Sequence, residues 1–249
     1  MRADPLKLAL LFGTLVAAPL SAQAGPDASP LHEMRWGRAT FLLAEVLDLA
    51  PGTAQRPLAY DLVGWTGGVR QRLWVKADGA IATVGRAAHG EYQVLYGRLV
   101  APFWDAQVGV RVDVQQGATR TDSRLGAAVG LQGLAPGWFE LEPSLFLGTD
   151  GVLSADLTGS LDVYLMQRVI LQPRLEITGG SHEDSEFGVG AGLRSGSLGL
   201  RTRLEVRREI APYLGVVWER RFGRTAEIGR AAGVEAGEVL FVVGFRLWR

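Results

Sequence analysis

Residues 198–210, LGLRTRLEVRREI, alternate between apolar and charged side chains along most of their length, and this pattern limits the possible folds more than any other in the chain. One face is apolar apart from a threonine, and its members are Leu198, Leu200, Thr202, Leu204 and Val206. The other face is charged, and its members are Arg201, Arg203, Glu205, Arg207 and Glu209. A helix would mix the two sets, because its side chains return to one face every three to four residues. The pattern therefore predicts a long strand with one apolar and one charged face.

The same alternation recurs at 104–113, 154–165 and 169–178. These strands are longer than the five or six residues usual in soluble sheets, and they match the roughly 9 to 11 residues that cross a bilayer at a tilt. An open edge would leave backbone groups unpaired in hydrocarbon, so such a sheet has to close on itself. We therefore predict an all-β chain that forms a transmembrane antiparallel β-barrel. The alternative is a soluble barrel, such as a lipocalin-like cup, with its apolar face inward.

The connections alternate in kind. Tight turns rich in Gly or Pro separate some strands, and longer polar stretches at 50–57, 79–88, 114–123, 180–196 and 223–237 separate the others. This asymmetry is typical of short periplasmic turns and longer extracellular loops. The predicted strands number about twelve, so both termini are expected on the periplasmic side. Their approximate spans are 39–49, 58–66, 70–78, 89–100, 103–113, 124–133, 138–148, 153–166, 168–179, 197–210, 213–222 and 239–248, the first three having the poorest alternation.

Each face of the predicted barrel has its own composition. The side chains expected to face lipid include Leu198, Leu200, Leu204, Val206, Leu214, Val216 and Trp218. The charged side chains expected in the lumen are Glu140, Glu142, Asp156, Asp162, Glu176, Glu205, Glu209, Glu219, Arg111, Arg174, Arg201, Arg203, Arg207 and Arg221. A structural network of ion pairs is the favoured interpretation of the lumen. A charge-lined path that selects ions is the alternative.

Aromatic residues concentrate near the predicted strand ends. Those that could form an interfacial girdle are Trp65, Trp74, Phe103, Trp104, Trp138, Phe139, Tyr213 and Trp248. The last strand, 239–248, has an apolar, partly aromatic face that suits lipid. Closure requires this strand to pair with the first.

The first residues are expected to be a targeting segment. Arg2 and Lys7 precede the apolar run 8–18, and Ala22-Gln23-Ala24 fits the small-x-small cleavage rule. We predict a cleaved signal peptide at 1–24, a short flexible segment at 25–37 and the barrel at 38–249. The apolar run is shorter than the roughly 20 residues that a membrane-spanning helix needs.

Composition removes several function classes. The chain has no cysteine, which excludes disulfides and thiolate metal sites. Its 26 basic residues balance 26 acidic ones, which argues against a nucleic-acid partner. Ser181-His182 is an isolated loop dipeptide, and a P-loop, a Rossmann fingerprint and an HExxH helix are all missing from the sequence. We therefore do not expect an enzyme, although a lipid-active enzyme stays open as a third class.

Five stretches together resemble a known family. They are GWTGGVRQRLWVKADG (64–79), LVAPFWDAQVGVRVD (99–113), GLQGLAPGWFELEPSLFLGTDG (130–151), QRVILQPRLE (167–176) and EVRREIAPYLGVVWERRFG (205–223). The chain is similar to the copper resistance protein B family of bacterial outer-membrane proteins. The resemblance implies a barrel in the outer membrane of a Gram-negative bacterium, surrounded by its lipid, with a role in copper tolerance and with copper ions bound. The family context also suggests a periplasmic multicopper oxidase as a partner.

The copper ligands are the least determined feature. Members of the family often have a long Met- and His-rich segment before the barrel, whereas residues 25–38, GPDASPLHEMRWGR, contain only His32 and Met34. A thioether and an imidazole so close together suit copper, so these two are the first candidate metal ligands. The competing candidate is His89, with carboxylates of the lumen. His182 and Met166 are isolated and are not expected to be ligands. A passive porin-like or structural barrel without copper binding is the alternative function.

Overall fold

The computed structural model describes residues 38–53, 57–83, 87–117, 120–184, 187–207 and 209–249. The predicted signal peptide and the segment 25–37 lie outside these residues. The described chain is almost entirely β-structure with one helix, α1 (Gly223–Ala231). The strands are β1 (Ala39–Leu49), β2 (Pro57–Gly67), β3 (Gln71–Ala82), β4 (Ala88–Ala101), β5 (Trp104–Gln116), β6 (Thr121–Ala135), β7 (Phe139–Gly148), β8 (Leu153–Leu161), β9 (Val163–Tyr164), β10 (Val169–Gly180), β11 (Gly192–Leu204), β12 (Ile210–Arg221) and β13 (Gly237–Trp248).

The sheet closes into a barrel. All pairings are antiparallel, neighbours in sequence pair with each other except β8 and β9, and β13 pairs with β1 through Leu43↔Trp248 and Leu49↔Val243. Leu42 and Arg249 exchange two backbone hydrogen bonds of 2.9 Å at this seam. The two pieces β8 and β9 both pair with β10, so the wall has twelve strand positions. The predicted closed barrel of about twelve strands is confirmed.

The strand predicted at 153–166 is interrupted at Asp162. Pairing of β8 with β10 ends at Ser160↔Arg174, and pairing of β9 with β10 resumes at Val163↔Leu171. Pro173 stands opposite the interruption, and a proline cannot donate a hydrogen bond to a ladder. The Asp162 carboxylate contacts Arg203 of β11.

Two bulges change which side chains face inward. In β1, the pairing with β2 shifts between Ala44 and Val46, so both Glu45 and Val46 line lumen cavities. Between β10 and β11, the register shifts after Thr178, and Arg194 on the bulged strand is buried. A β-bulge adds one residue to one strand, so the alternation reverses beyond it. This explains the poor alternation of the first predicted strand.

The two faces of the wall are as predicted. The seven side chains expected to face lipid are all exposed on the outside, from 38% at Val216 to 67% at Leu214, although Val206 lies just beyond the end of β11. Arg201 and Arg203 on the opposite face are buried in the lumen. Because β11 ends at Leu204, the expectation that Glu205, Arg207 and Glu209 face the lumen from a strand is wrong. These three residues lie in the connection to β12.

The two ends of the barrel differ in the length of their connections. One end, here called the short-turn end, has the connections 68–70, 102–103, 136–138, 165–168 and 205–209, together with the outer termini of β1 and β13. The other, the long-loop end, has the connections 50–56, 83–87, 117–120, 149–152, 181–191 and 222–236. The predicted alternation holds for most connections, with several differences. The connections 117–120 and 149–152 have four residues, fewer than 205–209 at the short-turn end, and the expected loops 79–88, 114–123 and 180–196 are partly strand. The stretch 223–237, expected to be a loop, contains α1, which buries Thr225 and Ala226.

Candidate functional site: the charged lumen

The lumen is crossed at mid-height by ion pairs. Arg174 of β10 contacts Asp61 of β2 at 2.5 Å and Glu45 of β1 at 3.3 Å, and it also contacts Glu176 on its own strand at 2.6 Å. The strand order places β10 nearly opposite β2 in the ring. One buried guanidinium thus links two opposite walls and neutralises carboxylates from three strands.

A second bridge runs from β3 to β7. The Lys76 ammonium of β3 contacts Glu142 of β7 and donates a hydrogen bond of 2.9 Å to Gln107 of β5. Gln107 in turn donates to Gln132 of β6 at 2.9 Å. This chain of polar contacts joins β3, β5, β6 and β7, and Lys76 is almost completely buried within it.

Towards the long-loop end, Arg111 and Arg124 each form ion pairs with three carboxylates. Arg111 contacts Glu91 at 2.5 Å and Asp156 at 2.8 Å, as well as Asp113. Its guanidinium also lies over the ring of Phe146, 3.9 Å from the centroid. A buried arginine with several carboxylates is a paired charge, and breaking such a pair is strongly unfavourable.

Arg124 fixes the connection 181–191 over the lumen. Its guanidinium contacts Asp113 at 3.0 Å and Asp150 at 3.2 Å, and it also contacts Asp184 within that connection. It lies over the Phe187 ring as well, 4.4 Å from the centroid. The same connection is tied to α1 by a 2.9 Å hydrogen bond from the Gly190 N–H to the Thr225 hydroxyl. The described residues of this connection therefore pack against Arg124 and α1 at the long-loop end.

The exposed carboxylate of Asp150 belongs to this arrangement and lies in the turn after β7. Partial desolvation raises its pKa, but the Val152 N–H and the Arg124 guanidinium stabilise the charged form more strongly. The net effect is a pKa below the ordinary aspartate range, so Asp150 is ionised at neutral pH.

Aromatic side chains line the lumen near the short-turn end. The Phe41 and Trp65 rings stack with centroids 6.0 Å apart, and Trp74 lies 6.2 Å from Trp65. The Arg72 guanidinium covers Trp65 at 4.7 Å. Trp74 packs against Gly97, where an added Cβ would lie 2.4 Å from the indole nitrogen. Only a glycine at this position leaves room for the indole.

The predicted girdle is therefore wrong in part. Trp65 and Trp74 point into the lumen, and Tyr213 is buried with its hydroxyl accepting a 3.0 Å hydrogen bond from the Leu47 N–H. Phe103 and Trp138 are exposed, as a girdle requires. The position of Trp74 could have been read from its parity, since it alternates in step with the charged residues 72, 76 and 78.

Two adjacent cavities, which share lining residues, remain between these side chains. One has a volume of about 410 Å³ and lies towards the long-loop end. The other has a volume of about 970 Å³ and reaches from Phe41 to Thr225. Both are lined by Asp61, Asp78, His89 and Arg174.

Some acidic groups of the smaller cavity are not neutralised. Asp78, Glu219 and Glu238 line it, and none of them forms an ion pair with another described residue. Of the three arginines that line this cavity, Arg174 and Arg201 pair with Asp61 and Asp48, and Arg221 forms no ion pair with a described residue. The smaller cavity is thus the part of the lumen best suited to attract cations.

The candidate copper ligands are not brought together within the described part of the chain. His89 faces the lumen from β4, opposite Ala80 of β3 and Gln115 of β5, and it lines both cavities. His32 and Met34 lie outside the described residues. Among residues 38–249, apart from the undescribed gaps, no group of three or more His, Asp or Glu side chains could hold a metal ion.

The dipeptide Ser181-His182 lies in the exposed connection after β10, with the serine hydroxyl 2.8 Å from His182 Nδ1. The hydroxyl also accepts a hydrogen bond from the Leu153 N–H. Met166 is exposed in the turn between β9 and β10.

A closed antiparallel wall, an apolar outer surface and a charged lumen are together the features of membrane β-barrel proteins. The chain belongs to the copper resistance protein B family, because the family model described as "Copper resistance protein B precursor (CopB)" matches residues 38–249. The resemblance noted in the sequence is thereby confirmed. In the described residues, no helix is long and apolar enough to span a bilayer.

Two relatives define the match. The chain is 40% identical to Copper resistance protein B of Escherichia coli over 190 residues, which cover 76% of this chain and 62% of that protein. It is 36% identical to a Copper resistance protein B homolog of Pseudomonas syringae pv. tomato over 209 residues, which cover 84% of this chain and 69% of that one. The chain thus spans less than two thirds of the length of the Escherichia coli relative.

Among solved structures, one described as "Unveiling the Mechanism Behind the in-meso Crystallization of Membrane Proteins" superposes with a TM-score of 0.47 at 8% identity. The superposition covers 86% of this chain and 83% of the other.

Proposed function

We propose that this chain is an outer-membrane barrel that contributes to copper resistance and binds copper ions. The observation that carries the proposal is the family match over 38–249, together with the barrel that those residues form. The apolar outer wall supports a location in a bilayer. The signal peptide proposed at 1–24 would direct export, and the short-turn end would then face the periplasm.

We place the principal copper site on the segment that contains His32 and Met34. A thioether favours Cu(I), and an imidazole two residues away can bind the same ion. The segment precedes β1, so it would lie at the short-turn end, where copper from periplasmic proteins arrives. His89 with the carboxylates of the smaller cavity is the competing site.

The lumen is proposed to hold or pass single ions rather than to form a wide water-filled pore. The bridges from Arg174 and Lys76 cross it, and Asp184 of the connection 181–191 packs against Arg124 at the long-loop end. The unpaired carboxylates of the smaller cavity would attract cations from the long-loop end.

A second candidate is a structural barrel without copper binding. The observation that favours it is that the described residues contain no group of three or more metal-binding side chains. Planar-bilayer conductance that does not respond to copper would support this candidate. The multicopper oxidase implied by the family context remains a proposed partner.

The first experiment tests the role in resistance. A deletion strain of the source organism should lose copper tolerance and regain it when the full chain is expressed. Complementation by His32→Ala/Met34→Ala and by His89→Ala would be compared in the same strain, with His182→Ala as the matched control. A deletion strain with unchanged tolerance would contradict the proposal.

The second experiment tests binding. Purified full chain in detergent is titrated with Cu(I) under reducing conditions and with Cu(II) separately. We expect His32→Ala/Met34→Ala to lose Cu(I) affinity at least tenfold, while His182→Ala binds as the wild type does. Loss in His89→Ala alone would move the site into the lumen, and no binding tighter than about 1 μM would remove copper binding from the proposal.

A further inference from the structure

Six exposed arginines lie at the short-turn end without an ion pair to any other described residue. They are Arg38, Arg70, Arg98, Arg168, Arg207 and Arg249. The acidic side chains in the turns of this end are Glu205 and Glu209, both in the connection between β11 and β12. The short-turn end is therefore strongly cationic.

The six arginines occupy one continuous arc of the ring. Following the sheet order, the arc begins at the turn before β10, passes the β11–β12 turn and the β13–β1 seam, and ends at β4. The remaining arc has the β4–β5 and β6–β7 turns, which contain no basic residue. Their tips are aromatic instead: Phe103, which also borders the larger cavity, is 73% exposed and Trp138 is 78% exposed.

The backbone at these two tips indicates that the exposed rings are not incidental. Phe103 and Trp138 both have φ of 67°, and they are the non-glycine residues with positive φ in the described chain. This left-handed conformation favours glycine, and it is uncommon for a bulky side chain. Both tips follow an Ala-Pro pair, at 101–102 and at 135–136. The chain therefore keeps a large apolar ring in two turns where a glycine would be relaxed.

The position of Arg98 identifies the kind of partner. On β4 it lies on the outer wall between Tyr96 and Val100, which are 46% and 59% exposed. A side chain on the apolar wall is surrounded by lipid, and a protein approaching the short-turn end from water would not reach it. A long arginine can extend from such a position to the headgroup layer.

We propose that the short-turn end is a binding surface for acidic phospholipids, with the arginine arc contacting their phosphates and Phe103 and Trp138 lying among the headgroups. The proposal rests on the proposed membrane location. Arginine makes paired hydrogen bonds to phosphate, and basic residues near an anionic leaflet each add to its attraction. Aromatic rings are enriched at the same depth of the bilayer.

The test compares arginines of the two ends. Full-length protein in neutral detergent is titrated with phosphatidylglycerol or phosphatidylcholine, and bound lipid is counted by native mass spectrometry. The variant Arg70→Gln/Arg98→Gln/Arg168→Gln removes three arginines of the arc. The matched control, Arg220→Gln/Arg224→Gln/Arg230→Gln, removes three exposed arginines of the long-loop end.

We expect the wild type to bind phosphatidylglycerol at least tenfold more tightly than phosphatidylcholine. The arc variant should lose at least tenfold of this preference, and the control should stay within twofold of the wild type. A wild type without preference, or a control that loses as much as the arc variant, would overturn the proposal. Lipopolysaccharide is titrated in parallel. An arc variant that loses binding of lipopolysaccharide but keeps binding of phosphatidylglycerol would also overturn the proposal.

Two further measurements separate this proposal from others. The heat-dependent shift in gel mobility shows that each variant is folded before its lipid binding is compared. Insertion into phosphatidylcholine vesicles, followed by protease protection, tests the membrane location by itself. A wild type that fails to insert refutes the membrane location, whereas one that inserts but shows no lipid preference refutes only the acidic-lipid surface.

Discussion

At the long-loop end Arg124 is held by Asp113, Asp150 and Asp184, whereas at the short-turn end Arg70 has no acidic partner among the described residues. The difference lies in the acidic residues rather than in the arginines. Carboxylates from β5, the β7–β8 turn and the connection 181–191 converge on one guanidinium at the long-loop end. The arginine there stabilises the fold, while those at the short-turn end are free to contact something outside it.

Backbone conformation separates the two ends in the same way. At the long-loop end the described positions with positive φ are glycines, including Gly151, Gly188 and Gly233, which adopt it without strain. At the short-turn end Phe103 and Trp138 adopt it at a cost. A chain optimised only for stability would have relaxed these turns, so the comparison points to the short-turn end as a surface selected for contact.

The largest expected difference between the ends is in stability. Arg124→Ala removes the cation that Asp113, Asp150 and Asp184 share, and removing one partner of a buried ion pair costs about 3–5 kcal/mol. We expect a loss near the lower limit, because Asp113 keeps its contact with Arg111 and Asp150 is partly exposed. Urea unfolding of the protein in lipid vesicles measures the free energy of unfolding.

The matched control for Arg124→Ala is Arg70→Ala. Its side chain is exposed and has no ion pair within the described chain, so we expect a change below about 0.5 kcal/mol. Equal losses in the two variants would contradict the contrast between the ends.

The next largest effect concerns depth along the wall. Leu198 lies in the middle of β11 and is half exposed on the outer face, whereas Leu204 is the last residue of the strand. An arginine facing lipid costs about 2–4 kcal/mol at the midplane and about 0–1 kcal/mol near the interface. We expect Leu198→Arg to fall in the first range and Leu204→Arg in the second.

Vesicle unfolding experiments on both leucine variants test this prediction. If Leu204→Arg were as damaging as Leu198→Arg, the short-turn end would be buried more deeply in the bilayer than we propose. If neither were destabilised, the outer wall would not face lipid.

The sequence predicts those parts of the molecule in which one face of a strand has a single character. In 198–204, three leucines lie on one face and two arginines on the other, with no charged residue on the leucine face, so both faces and the buried Arg201 could be assigned correctly. At Trp74 the prediction rested on the position near a strand end, where an aromatic residue suits both a lipid interface and an amphipathic lumen, and not on the alternation. The alternation with residues 72, 76 and 78 and the contact with Gly97 of the next strand both place the ring in the lumen.

The two bulges and the helix α1 could not be predicted from the periodicity of the sequence. Glu45 adds a residue to β1 and reverses the alternation of its side chains. A search for a fixed period of two residues therefore finds only a weak strand pattern in this segment. α1 is only nine residues long and has no side-chain cap at its beginning, so its stability comes from burial of Thr225 and Ala226. The ion partners of Arg174 and Arg124 depend on distant strands and loops, and no local pattern contains that information.

The smallest expected effect tests the strained turn of the short-turn end. Phe103→Gly and Phe103→Ala both remove the exposed ring, but only glycine relieves the left-handed backbone, which costs an L-residue about 1–2 kcal/mol. Glycine also gives the unfolded chain more conformational entropy, which lowers the stability of the folded state by about 0.4–1 kcal/mol relative to alanine. The free energy of unfolding of Phe103→Gly should therefore be higher than that of Phe103→Ala by only about 0.5–1 kcal/mol. This difference should be the same in detergent and in vesicles, because it arises from the backbone.

The Phe103 ring should contribute to stability only where headgroups are present. We therefore expect the wild type to gain stability relative to Phe103→Ala on transfer from detergent to vesicles that contain phosphatidylglycerol. Urea unfolding in the two media measures both quantities, and an unchanged gap between wild type and Phe103→Ala would show that the exposed ring makes no contact with lipid.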